Sequence, residues 1–162
     1  MIDLLGYIGI VMNFLWPLFR KRAVMLIVQT IGALFFVAHF FSLGAKTGAL
    51  MALIAAAQAV LAIPLESKPE FRKIYLLTLP VIAIMVAISW SGWPSVFCAI
   101  AMIIISIGRY QTNVMQFRLY LIVAEFFWIA HNILVGSIPG LVSDAVTLTS
   151  GISMYFRERR VM

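Results

Sequence analysis

Glu125, His131, Asn132 and Asp144 call for a chemical explanation because each stands in an apolar run. The stretch Glu125 to Ser150 reads EFFWIAHNILVGSIPGLVSDAVTLTS, with two apolar segments meeting at Gly136-Ser137-Ile138-Pro139-Gly140. Counted outward from that turn, His131 and Asp144 fall at one depth, about one and a half helical turns down, and Glu125 and Ser150 lie about two turns deeper. An ionisable group in hydrocarbon costs at least a few kcal/mol and by default marks a pathway or a site. Glu125 therefore reads as a proton- or cation-coupling carboxyl. The alternatives are a neutral acid bonded to Ser150 or a backbone carbonyl, or a side chain reaching toward the inner interface. His131 with Asp144 reads as a substrate-binding or proton-accepting pair, or as a hairpin clasp in which the carboxylate fixes the imidazole tautomer. No metal is expected, since only one His and one acid converge there.

Asn132 and Trp128 lie one turn apart on one helix. An Asn can donate to and accept from a hydroxylated solute, and a Trp can stack on a ring; an interhelical hydrogen bond and ordinary packing are the bland alternatives. Asn13 and Trp16 repeat that pairing near the start of the chain. His39 would approach the same place if two repeats face each other, although its own hairpin offers Ala52 where the later one offers Asp144. Gln29 and Gln58 are expected to bond each other. Gly44, Gly48, Gly136 and Gly140 suit tight turns and close helix approach, and Trp90, Trp93 and Tyr155 suit an interfacial aromatic belt.

Whatever positions these groups sits in lipid. The chain has 162 residues, 64% of them hydrophobic and 11% charged, with a mean hydropathy of +1.06. A soluble domain carries about twice that charge fraction. The start, with Asp3 and no basic leader, does not read as a signal peptide. Cys98 is the only cysteine, so an internal disulfide is excluded. The net charge of +6 is explained by basic residues at span ends rather than by nucleic acid. No Ser-His-Asp spacing, phosphate loop, paired-Cys site or haem motif occurs, so an enzyme is not expected, and neither is a cofactor.

Apolar runs predict an all-α protein with seven transmembrane helices, at about 4–19, 23–43, 49–65, 74–90, 95–108, 119–135 and 138–156. With the amino terminus outside, eleven basic residues fall on the inner side and only Lys46 outside, as the positive-inside rule requires. An even number of spans would break that alternation. An internal repeat supports the count. Ala38-His39, Leu43-Gly44 and Gly48 recur as Ala130-His131, Val135-Gly136 and Gly140, each 92 positions on. Parallel copies need a single crossing between them, which predicts a 3+1+3 arrangement within one transmembrane domain: repeat one about 1–65, a linker helix about 74–90 and repeat two about 95–156.

The stretch Trp128-x-x-His131-Asn132-x-x-x-Gly136-Ser137-Ile138-x-Gly140, with Asp144 and with Gly151 before a basic end, resembles the YgjV-like family of bacterial inner membrane proteins. The stretch from Gln29 through His39 and Gly44 resembles it too. That family is distantly similar to SWEET, PQ-loop and PnuC-type carriers, although here Leu18 follows Trp16-Pro17 where a Gln would stand, and Tyr110-Gln111 lacks the Pro. The resemblance implies a SWEET-like fold of two parallel three-helix units in the inner membrane, carboxyl terminus cytoplasmic. The function expected from fold and polar set together is a small-solute transporter or facilitator, proton-coupled through Glu125. Its substrate would be held between the units by Asn132, His131, Trp128, Asp144, Asn13, Trp16 and His39. A non-transporting receptor or assembly factor is the alternative, with an intramembrane enzyme third. The partners expected are the lipid bilayer and a small-molecule solute, with a homo-oligomer as one option for assembly and no nucleic acid.

Overall fold

The computed structural model describes residues 2–15, 19, 22–65 and 68–159. Among them are seven α-helices: α1 (Ile2–Leu15), α2 (Arg22–Ser42), α3 (Lys46–Leu65), α4 (Ile74–Ser89), α5 (Trp93–Tyr110), α6 (Val114–Val135) and α7 (Ile138–Arg159). A short 3-10 helix, Pro69–Lys73, fills the charged connection before α4. The helix order matches the expected one; several boundaries shift by a few residues, two of them for a plain physical reason. α5 starts at Trp93, because Pro94 is favoured in a first helical turn. α6 starts at Val114, five residues before its apolar run. Asn113 caps it, its side chain accepting from the backbone N–H groups of Met115 (2.8 Å) and Gln116 (3.1 Å).

Five helices are long and apolar enough to cross a bilayer: those over Ala23–Ser42, Lys46–Leu65, Glu70–Ser89, Trp93–Tyr110 and Met115–Val135. Helix α1 is apolar but has 14 residues, about 21 Å, against a hydrocarbon core of about 30 Å. Helix α7 has 22 residues and fails on polarity rather than length. Its Ser143 and Asp144 are buried, so part of that polarity faces protein instead of lipid.

The helices pack as a closed ring in the order α1, α2, α3, α5, α6, α7 and back to α1, with α4 outside it against α3 and α5. Exchanging α1, α2 and α3 for α5, α6 and α7 maps the ring onto itself. The inter-helix turns repeat as well. Gly44 (φ 75°) and Gly136 (φ 70°) occupy the left-handed region at equivalent positions. The N–H after each closes its helix in the same way, Ala45 on the Phe40 carbonyl and Ser137 on the Asn132 carbonyl, both at 2.9 Å.

Lipid tails are as apolar as Leu, so helix association in a membrane relies on close packing of small residues and on interhelical hydrogen bonds. The buried side of α3 is built that way, from Gly48, Ala49, Ala52, Ala56, Ala59 and Ala62. Two polar clasps bind α4 to the ring. At one end Thr47 donates to the Ser89 carbonyl (2.6 Å) and its hydroxyl meets that of Ser95 (2.8 Å). Further along, the Gln58 amide donates to Thr78 and Ser106, both at 2.8 Å. The expected Gln29–Gln58 pair is therefore not made: Gln58 turns toward α4 and α5, where hydroxyls on two helices can be satisfied at once. Leu77, Ile84 and Ile88 leave the outer face of α4 exposed and apolar, suited to lipid.

Candidate functional site

A cavity of about 150 Å3 opens inside the ring, lined from α1, α2, α3, α6 and α7. Most of its wall consists of equivalent positions from the two halves, 92 residues apart. Ala33 corresponds to Glu125, Phe36 to Trp128 and Phe40 to Asn132, on α2 and α6. Ala52 answers Asp144, and Ala55 answers Thr147, on α3 and α7. Asn13, Gly140 and Ser143 complete the lining.

The expected residues divide into two groups. Asn13, Trp128, Asn132, Asp144 and Glu125 line the cavity together. His39 and His131 do not: both are buried beside it in contacts between the halves. His131 Nδ1 lies 2.9 Å from the Pro94 carbonyl. A carbonyl only accepts, so Nδ1 carries the proton, and in the neutral ring Nε2 is the bare nitrogen. That Nε2 has no hydrogen-bond partner and faces Gly48 of α3, where a Cβ would run into the ring. His39 Nε2 lies 2.9 Å from Ser137 Oγ in the other half's turn, and a Cβ on Gly6 would sit 3.1 Å from its Nδ1. Each histidine therefore wedges between the first helix of its own half and the hairpin of the other. Trp16 lies outside the described residues.

The expected His131–Asp144 pair is not formed. Equal depth along a hairpin says nothing about azimuth, and the two side chains leave their helices in different directions. Asp144 is taken instead by Asn132, whose Nδ2 donates to Asp144 Oδ2 at 2.7 Å. The alternative of Glu125 bonded to Ser150 is not formed either: no hydrogen bond joins the two, and the Ser150 hydroxyl donates to the Thr147 carbonyl (3.0 Å). Glu125 has no hydrogen-bond or ion-pair partner among the described residues. Asn13 Nδ2 donates to Ser143 Oγ at 2.8 Å, joining α1 to α7. The amide oxygen of Asn132, a residue 1% exposed, is left without a partner.

Aromatic rings from α2 and α6 form one side of the cavity. Phe40 stacks on Trp128 at 6.1 Å with 8° between planes, and the His131 ring stands edge-on to both, at 5.4 Å and 5.5 Å. Phe36 packs against Phe40 at 5.9 Å. The sequence reading missed Phe36, Phe40 and Ala33 as site residues. The signal was present: carrying the spacing of 92 back from Trp128, Asn132 and Glu125 points to all three.

Among the described residues no group of three His, Cys, Asp or Glu side chains converges as a metal site. No curated protein and no solved structure matches the chain. A family described as bacterial inner membrane protein matches residues 1–161, and the apolar helix ring around a polar cavity fits that description, so the chain belongs to the Imp-YgjV family of bacterial inner membrane proteins.

Proposed function

We propose that this inner membrane protein is a carrier or facilitator for a small solute. The observation that carries the reading is the cavity, whose wall is shared between equivalent positions of the two halves. In carriers built from repeats the substrate sits at the repeat interface, and rocking one unit against the other exposes it to each side in turn. On this reading the helices form a 3+1+3, SWEET-like set of two parallel three-helix units with α4 as the intervening crossing. All seven helices cross, α1 and α7 aided by the protein that shields them. The amino terminus lies outside and the carboxyl terminus in the cytoplasm. The substrate-binding residues are Asn132, Trp128, Asp144 and Asn13, while His131 and His39 hold the halves together behind them. Glu125, without a partner in the wall, is the candidate for proton coupling; Asp144 is the other carboxyl on the cavity.

The two-sided access that a carrier needs can be tested before a substrate is known. In a Cys98→Ala background, Ala33→Cys places one thiol on the cavity wall. A membrane-impermeant maleimide applied to right-side-out and to inverted vesicles should modify it from both faces. Modification from one face alone would exclude alternating access and leave the receptor reading.

A further inference from the structure

We propose that the cavity takes a small primary ammonium compound with an apolar body. This rests on reading the cavity as a solute site, and it concerns what that solute is. Three hydrogen bonds within the wall each use one donor: Asn13 Nδ2 on Ser143, Asn132 Nδ2 on Asp144, and Thr147 Oγ1 on the Ser143 carbonyl (3.0 Å). The Trp128 indole N–H and the Ser143 hydroxyl remain as donors on the wall, and carboxyl oxygens remain as its charged acceptors. Glu125 has no partner among the described residues, and the Asn132 amide reaches only one oxygen of Asp144, Oδ2; Asn132 Oδ1, also unpartnered, is packed against Gly140 behind the wall. A buried acceptor left unmade costs about 1–3 kcal/mol, which a ligand bearing N–H groups would recover.

Charge points the same way. Glu125 and Asp144 line the cavity, and among the described residues no Lys or Arg does. The nearest guanidinium recorded against the wall is Arg109, whose Nη1 donates to the Ala55 carbonyl at 3.3 Å. Phe40 and Trp128 offer ring faces and edges on the same cavity, and aromatic faces attract ammonium groups. The ligand's other end meets Phe36 and Ala33, which offer it neither a side-chain donor nor an acceptor. A volume of about 150 Å3 is that of a cavity that accepts a benzene-sized molecule. A short alkylammonium fits these limits in size, charge and number of N–H donors.

The test uses n-butylammonium as probe, titrated calorimetrically into the full-length protein in detergent. Neutral n-butanol and tetramethylammonium, a cation without N–H, are the comparisons. The probe should bind saturably and about tenfold or more tighter than either, the difference one charge-assisted hydrogen bond makes. Glu125→Gln, which removes a carboxylate that holds nothing else in the wall, should weaken n-butylammonium by about tenfold and leave n-butanol unchanged. Equal binding of n-butanol would overturn the charge requirement, and equal binding of tetramethylammonium would overturn the donor requirement. Saturable binding of glucose with none of n-butylammonium would overturn the ligand class altogether. The Ala33→Cys labelling separates this from the carrier reading. Two-sided labelling without ammonium binding sinks the ligand class alone, and tight ammonium binding with one-sided labelling sinks the carrier alone.

Discussion

On α2 and α3 the cavity wall is Ala33, Phe36, Phe40, Ala52 and Ala55; at the equivalent positions on α6 and α7 it is Glu125, Trp128, Asn132, Asp144 and Thr147. The same backbone frame thus presents an apolar face from one half and a polar face from the other. What the halves keep in common is what the frame needs: left-handed glycines at the turns, small residues where helices approach, and a histidine wedged into the opposite hairpin. What they do not share is concentrated at the cavity. Packing therefore constrains both halves alike, whereas the polar side chains on the cavity come mostly from the second half, with Asn13 of α1 as the first half's contribution.

The largest effect is expected where the halves touch. A Cβ at Gly48 would collide with the His131 ring, and overpacking of this kind costs about 1–3 kcal/mol. Gly48→Ala should lower the melting temperature of the detergent-solubilised protein clearly. His131→Ala in the same chain should recover much of that loss, and it should recover none of the loss from Gly140→Ala, whose Cβ would meet Asn132 and Ser137 instead. Failure of that selective rescue would mean that the histidine does not bridge the halves.

A smaller effect is expected within the polar wall. Asp144→Ala leaves the Asn132 amide with neither end bonded, at a cost of about 1–3 kcal/mol. In double-mutant cycles on unfolding, Asn132→Ala and Asp144→Ala should couple by about 1 kcal/mol. His131→Ala and Asp144→Ala should add to within about 0.5 kcal/mol. Coupling in the second cycle and additivity in the first would restore the His131–Asp144 pair.

The smallest change tests the comparison most sharply. Glu125→Ala should weaken n-butylammonium by about tenfold, and adding Ala33→Glu should restore it, because the carboxyl then enters the same cavity from the equivalent position on α2. A swapped variant that stays as weak as Glu125→Ala would show that the two positions are not interchangeable and that the equivalence of the halves ends at the backbone.

The helices were legible because what makes them is local. Runs of apolar residues, turn glycines and basic ends lie side by side in the chain, and the seven helices follow them, with α6 extended by a cap that hydropathy does not register. The motif that His39 and His131 share was legible for the same reason, being local as well. The membrane setting followed from composition, because a surface bearing Leu77, Ile84 and Ile88 has no better solvent than lipid. Asn13, Trp128, Asn132 and Asp144, singled out for standing in apolar segments, do line one cavity.

Which partner each group has was decided by the tertiary structure. Depth along a hairpin put His131 level with Asp144, but the direction of each side chain around its helix axis and the packing of α5 and α7 against α6 gave Asp144 to Asn132 and His131 to Pro94. Gln58 met hydroxyls on α4 and α5 rather than Gln29, since α4 packs against α3 and α5 outside the ring. Phe36 and Phe40 became cavity wall only when α2 came to face α6. Hydropathy and spacing act along one helix at a time. A hydrogen bond needs two atoms within about 3 Å, and whether distant segments come that close is settled by how the whole ring closes.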